Sequence, residues 1–426
     1  MKTSFRSRHM TVLVAVLVLA PVSQAQEGTW PVKLDDVPEE DAIGFCLYTT
    51  HDQVLKLTAQ LYPLADGVDR AVTLQVRKGG EWADVAATKV SEAPYGDPQA
   101  DIKRWTAHFR VDDWDMTRDH AYRVVAAGGA ATYEGVIRRD PVDKEVIVVA
   151  AFTGNSSKDR RLKPDIVANI KAQDPDLLFF SGDQSYDHKL HYQAWLLFGK
   201  QFGEVIKDRP TICIPDDHDI GQSNLWGENG VEEGHGQGGA RGGYFWSPEY
   251  VNSVQNAQTW HLPDAFDPTP IKRGIGVYYT HLRVGRVGFA VIEDRKFKTG
   301  PDGFIPKMGP RPDHITEPDF DRQVVDLPDA RLLGERQLKF LRDWGQDWRG
   351  QNIKAVLSQT VFANAAHLHG KYDYRLIADL DSNGWPQSGR NRALYEIRRF
   401  HGFMIGGAQH LAPIIQHGRS SFGHAR

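Results

Sequence analysis

Residues 177–187 read LLFFSGDQSYD: four apolar residues, a Ser-Gly turn, then a cluster holding Asp183, Tyr186 and Asp187. An unbroken apolar run this short, closed by turn residues, marks a strand buried on both faces. The pattern recurs along the chain. EVIVVAAF (145–152) runs into Thr153, Gly154 and Asn155, and TICI (211–214) into Asp216, Asp217, His218 and Asp219. VGFAVIE (287–293) leads to Asp294 and Arg295, IKAVLS (353–358) to Gln359 and Thr360, and FMI (403–405) to Gly406, Gly407, Gln409 and His410. Helical spacing fills KPDIVANIKAQ (163–173), HYQAWLLFGKQFGEVI (191–206) and RLLGERQLKFLRDWGQD (331–347). Alternation of this kind predicts an α/β domain with a parallel or mixed sheet.

Upstream the texture differs. Within 27–140, FCLYTTH, LKLTAQLY, AVTLQVRK, RWTAHFRV, AYRVVAA and ATYEGVIR are short alternating or β-branched runs between Gly, Asp and Pro clusters. They predict a small β-sandwich without chemistry of its own, ending near RRDPVDK (138–144). Residues 220–260 are rich in Gly and aromatics and read as a structureless insertion, either an active-site flank or disorder. The first 25 residues read as an export signal: Lys2, Arg6 and Arg8, an apolar core over 11–20, then small Ser23 and Ala25 before a cut near Gln26. That core is about half the 20 residues a membrane span needs, so no membrane anchor is expected. The mature chain is expected in the periplasm or outside the cell.

A formal charge of −4 over 426 residues argues against a general nucleic-acid binder, which carries a basic excess. Cys46 and Cys213 are the two cysteines of the chain. They fall in different candidate domains, and two buried thiols are expected rather than a disulfide.

Ligands of open α/β sheets gather at the carboxyl ends of strands, so six polar strand ends imply one shared site. Singly, each residue has a plainer reading. Asp183 after a glycine can be a turn or helix cap, and Tyr186 or His410 can be structural. The DDHD of 216–219 is harder to explain that way, because three carboxylates within four positions repel unless a cation neutralises them. Carboxylates, a phenol and imidazole suit hard or borderline cations. Two ions sharing a carboxylate would activate water for in-line displacement at phosphorus, with Arg295 steadying a phosphoryl oxygen.

SGDQSYD, PDDHD, EDRKF and LDSNGWPQSGRNRAL together resemble the PhoD-like metallophosphoesterases, the alkaline phosphatase D family, over roughly residues 27–418. The resemblance implies an α+β protein: an N-terminal β-sandwich (27–140) before a four-layer α/β/β/α phosphoesterase domain (141–426). It also implies export, hydrolysis of phosphate mono- or diesters, and a metal cluster of iron with calcium. Carried over, Asp183 bridges the ions, Tyr186 is a phenolate ligand, Asp217 binds the second ion, and His410 is a further ligand. His218 lies beside the substrate as acid or phosphate contact, and Asp381 lies near the substrate mouth; Asn155, from its own strand end, is a further candidate substrate contact. Two positions depart from the family pattern: Gly154 stands where relatives have Cys, and Ala408 where they have Asp. Neither can bind a metal. The chain also stops soon after its last motif, so closing strands are expected to be missing and a sheet edge exposed. The preferred expectation is a hydrolase acting on a small phosphate ester. A binding protein that has lost its chemistry is the rival, and a nuclease-like substrate is less favoured by the charge.

Overall fold

The computed structural model describes residues 13–16, 30–234, 240–364, 367–369, 374–409 and 412–417. After a four-residue strand, β1 (Leu13–Val16), come β2 (Ile43–His51), β3 (Val54–Leu61), β4 (Ala71–Lys78), β5 (Glu81–Lys89), β6 (Thr106–Val111), β7 (His120–Ala126) and β8 (Ala131–Ile137). These last seven form two antiparallel sheets, ordered β2-β3-β6 and β5-β4-β7-β8. Along β7 the buried residues are His120, Tyr122, Val124 and Ala126, the period of two expected when one face meets the core. Leu57 and Ala59 of one sheet share that core with Leu74 and Val124 of the other, as in the expected sandwich. Within this half the strand the sequence hides is β5, whose EWADVAATK is polar and only half-buried.

The remaining strands are β9 (Val148–Phe152), β10 (Leu177–Phe180), β11 (Thr211–Cys213), β12 (Thr280–Val284), β13 (Val287–Val291), β14 (His314–Ile315), β15 (Ile353–Thr360), β16 (His367–His369), β17 (Tyr374–Leu376), β18 (Ala378–Asp379) and β19 (Phe403–Gly407). One sheet runs β1-β9-β10-β11, all parallel. The other runs β12-β13-β15-β19, parallel except for the β12/β13 hairpin. Two short ribbons pair β14 with β18 and β16 with β17. The helices are α1 (Pro164–Gln173), α2 (His191–Ile206), α3 (Pro248–Thr259), α4 (Gly334–Gln346) and α5 (Gln387–Arg399).

The apolar runs are continuous because each face of each sheet is covered. In β10, Leu177 and Phe179 pack toward the second sheet, in a core with Phe289, Val291 and Leu357. Its alternate residues Leu178 and Phe180 pack with Ile170 of α1 and Phe198, Phe202 and Val205 of α2. On the far side, Ala290, Ile292 and Val356 meet Phe340, Leu341 and Trp344 of α4 and Leu394 and Ile397 of α5. The layers are therefore α/β/β/α. The N-terminal half is joined to this stack. Phe45 and Leu47 of β2 enter the α1/α2 core, and Gly199 lets α2 close on them, since a Cβ there would lie 2.0 Å from the Phe45 ring.

The stretch 220–260 is not structureless in its described part. Ile220, Leu225, Trp226, Tyr244 and Tyr250 are buried, and Ser247 caps α3 by accepting from the amide of Tyr250. Both cysteines are buried and free, as expected. Of the expected export signal, the described part is β1, at the edge of the first sheet beside β9. No described helix is long and apolar enough to cross a membrane.

Candidate metal centre

The loop leaving β10 turns at Gly182, whose φ is +122° and whose absent Cβ would sit 2.3 Å from the Cβ of Asp216. Only glycine tolerates both that φ and that approach. The loops after β10 and β11 are thereby brought into contact, and Asp219 fixes them there. Its carboxylate accepts from the amides of Asp183 (2.8 Å), Ser185 (2.8 Å) and Asp216 (3.0 Å). Burial pushes Asp219 up to about 7, against the pull of these amides.

Asp183, Asp216 and Asp217 each bring a carboxylate oxygen within 4.8 Å of the others, and all three are buried. Oδ2 of Asp183 accepts from the Tyr186 hydroxyl at 2.9 Å. Its Oδ1 is buried and has no hydrogen-bond partner among the described residues. Burial, then the like charge of its neighbours, raises the pKa of Asp183 and of Asp217. A buried carboxylate oxygen with no donor costs about 1–3 kcal/mol or more. That cost persists unless a proton or a cation meets it. Hard oxygen donors crowded in this way fit a multivalent cation.

Around the cluster a cleft of about 260 Å³ is lined by Asp183, Asp217, His218, Asp381, Ala408 and Gln409, among others. The His218 ring stacks on Tyr186 with centroids 3.9 Å apart, and its Nδ1 lies 2.6 Å from Nε2 of His188. Thr153, after β9, accepts from the amide of Ala408, after β19, at 3.0 Å. Asp294, after β13, accepts from the amides of Gln359 and Thr360 at the end of β15. The strand ends of both sheets are thus bonded to one another around a single cleft.

The sequence expectations fall out unevenly. Asp183, Tyr186, Asp217 and His218 lie together, and Asp381 shares the cleft. His410 falls outside the described residues. Asn155 is buried, gives its amide to Gln201 at 3.1 Å, and is not among the described cleft residues. Arg295 lines the same cleft, with most of its donors engaged inside the protein. It is 1% exposed, and its donors go to Asp216 and Asp381, including the Asp381 backbone carbonyl at 3.1 Å. Nε and Nη2 fork onto Asp216 at 2.6 and 3.1 Å, and Nη1 reaches Asp381 at 2.5 Å. A guanidinium buried this deeply needs such partners. The two departures hold their places: Gly154 is left-handed, with φ +61°, and Ala408 puts a methyl at the cleft wall, with φ +65°.

One group escaped the sequence reading. Asp313, His314 and Asp379 form a second buried cluster with ligand-type atoms within 4.8 Å of one another, on the wall of the same cleft. Arg311 and Asn224 hold Asp313 at 3.2 and 2.9 Å. Burial pushes the Asp313 carboxyl up to about 6.

No family model matches the sequence. No curated protein matches it either. Among solved structures, the one described as the structure of PhoD superposes with a TM-score of 0.60 at 13% identity, covering 86% of this chain and 72% of that one. A β-glucuronidase from an uncultured Clostridium sp. covers 85% of this chain and 60% of its own at a TM-score of 0.24 and 10% identity, too distant to carry an argument. At 13% identity the first likeness speaks to architecture, and the α/β/β/α stack behind a β-sandwich described above is the architecture it speaks to. The chain has the fold of PhoD.

Proposed function

We propose that the protein is a metal-dependent phosphoesterase, exported from the cytoplasm, that hydrolyses small phosphate mono- or diesters. The observation that carries this reading is Asp183 Oδ1: buried, without a donor among the described residues, and within reach of two further carboxylates beside a cleft. Fold likeness to PhoD supports the reaction class. The family resemblance supports iron with calcium as the ions and export as the destination.

Asp183, Tyr186 and Asp217 would hold the metal, with His410 a further ligand. A bound multivalent cation supplies a nucleophilic water near neutral pH and offsets charge on phosphoryl oxygens. His218 lines the cleft and would protonate the leaving alcohol. To act as the acid, His218 would be the imidazolium, with Nδ1–H donating to Nε2 of His188 and the ring left neutral after the transfer. Arg295 acts at one remove, by orienting Asp216 and Asp381.

A second reading keeps the fold without the chemistry. The methyl of Ala408 at the cleft wall favours it, as does Gly154. Release of a chromogenic alcohol from its phosphate mono- and diester, with chelator and then with metal restored, tests the two. Metal-dependent turnover by the unaltered protein supports the phosphoesterase and removes the rival. Turnover only after Gly154→Cys and Ala408→Asp are both introduced supports the rival. The left-handed φ at 408 suits Asp, whereas Cys at 154 bears strain of about 1–2 kcal/mol.

A further inference from the structure

Resting on the phosphoesterase reading, we infer that the substrate is a small phosphate monoester whose alcohol carries a second anionic group, a carboxylate or a phosphate, and that Arg311 reads that group. Among the described residues the cleft is lined by two arginines, Arg295 and Arg311. Arg295 is 1% exposed and gives Nε, Nη1 and Nη2 to Asp216 and Asp381. Its guanidinium is spent inside the protein. The side chain of Arg311 is 39% exposed, and among the described residues it is engaged through Nε, which donates to Asp313 Oδ1 at 3.2 Å. The two terminal nitrogens of its fork are left for a ligand in the cleft.

The fork is held in place from behind. Asp313 is 2% exposed, and its Oδ2 accepts from the Asn224 amide group at 2.9 Å. The same oxygen lies 3.4 Å from Nε2 of His314, which is equally buried. One buried carboxylate thus gathers a guanidinium, an amide and an imidazole onto one wall of the cleft. The backbone is set as well. Pro312 keeps Arg311 out of the helical region, the amide of His314 donates to the Arg311 carbonyl at 3.2 Å, and that of Leu380 to the Asp313 carbonyl at 2.8 Å. An arginine oriented in this way loses little freedom on binding and matches the paired oxygens of a carboxylate or phosphate.

Size makes both ends of the substrate count. At about 260 Å³ the cleft is smaller than those that hold drug-sized ligands. A molecule with its phosphoryl group at Asp183 therefore brings its other end to the wall that carries Arg311. A neutral end would leave the guanidinium nitrogens without the acceptors they lose from water, whereas an anionic end replaces them. Other carboxylates of the cleft have donors of their own: Asp381 is paired with Arg295 at 2.5 Å, and Asp379 Oδ1 accepts the amide of Asp381 at 2.9 Å.

The test compares the para-carbamoyl, para-carboxy and para-phosphono derivatives of phenyl phosphate, with release of inorganic phosphate measured on the full chain with metal supplied. The carbamoyl ester is the uncharged match in shape. For the unaltered protein, kcat/KM should be at least about 10-fold higher for a charged ester than for the carbamoyl one, and the charged ester that leads distinguishes carboxylate from phosphate. Arg311→Met should bring that ratio to about one, and Arg311→Lys, a charge without the fork, should retain part of it. A ratio near one in the unaltered protein overturns the inference, while turnover of any of the esters leaves the phosphoesterase reading standing. A ratio that survives Arg311→Met overturns it too, because the charge is then read elsewhere. If no ester is hydrolysed, the reading and the inference fall together. Should Arg311→Met fail to fold, judged by circular dichroism, Arg311→Gln, which keeps an N–H for Asp313, takes its place.

Discussion

Asp219 holds three amide hydrogens from two loops while standing behind the cleft rather than in it. Asp219→Ala would leave those amides without an acceptor inside the protein. The expected loss is about 3 kcal/mol of stability, read by urea unfolding, together with most of the hydrolytic activity, because Asp183 and Asp216 lose their fixed separation. A variant as stable as the parent would show that the loops hold themselves. At this scale the sequence was informative wherever a residue followed an apolar run. Asp183, Asp217 and His218 could be picked out because their strands could. Asp313, His314 and Asp379 could not, since they sit in or beside two-residue strands within stretches that show no periodicity. The partners of Arg295 were equally hidden: nothing in EDRKF tells a guanidinium facing substrate from one enclosed by Asp216 and Asp381.

Elements place these residues through close approaches. Gly182→Ala would push a methyl to 2.3 Å from Asp216 Cβ at a φ of +122°. A stability loss of about 3 kcal/mol is expected, with activity falling further than stability alone accounts for, because the two carboxylate loops are forced apart. Thermal unfolding and initial rates on the same preparation check this, and unchanged rates would mean that the loops need not touch. The central strands were legible because two covered faces demand continuous apolar runs. By contrast, α3 was missed. Its buried Tyr250, Val254 and Ala257 have helical spacing, but buried Ser253, Gln255 and Gln258 between them mask the apolar face.

Across the whole molecule, the two halves meet at His261. Its backbone carbonyl accepts from Thr49 of β2 at 2.5 Å, and its Nε2 lies 2.8 Å from the carbonyl of Thr211 in β11. Burial lowers His261 to about 3. The folded value lies below the unfolded one of about 6.5, so between these values the unfolded chain binds the extra proton. Stability from this group is complete above about pH 6.5 and falls with acid, by up to about 1.4 kcal/mol per pH unit. His261→Gln should flatten the dependence of urea midpoints on pH between 6 and 4 by that amount, and parallel curves would contradict the burial of this ring.

The account as a whole rests on one carboxylate oxygen, and Asp183→Asn tests it with the smallest change of shape. Hydrolysis of a chromogenic phosphate ester is measured for parent and variant with metal supplied, alongside circular dichroism of both. The account predicts a metal-dependent rate in the parent and none above background in a folded variant. A folded Asp183→Asn variant that hydrolyses the ester as fast as the parent would contradict it.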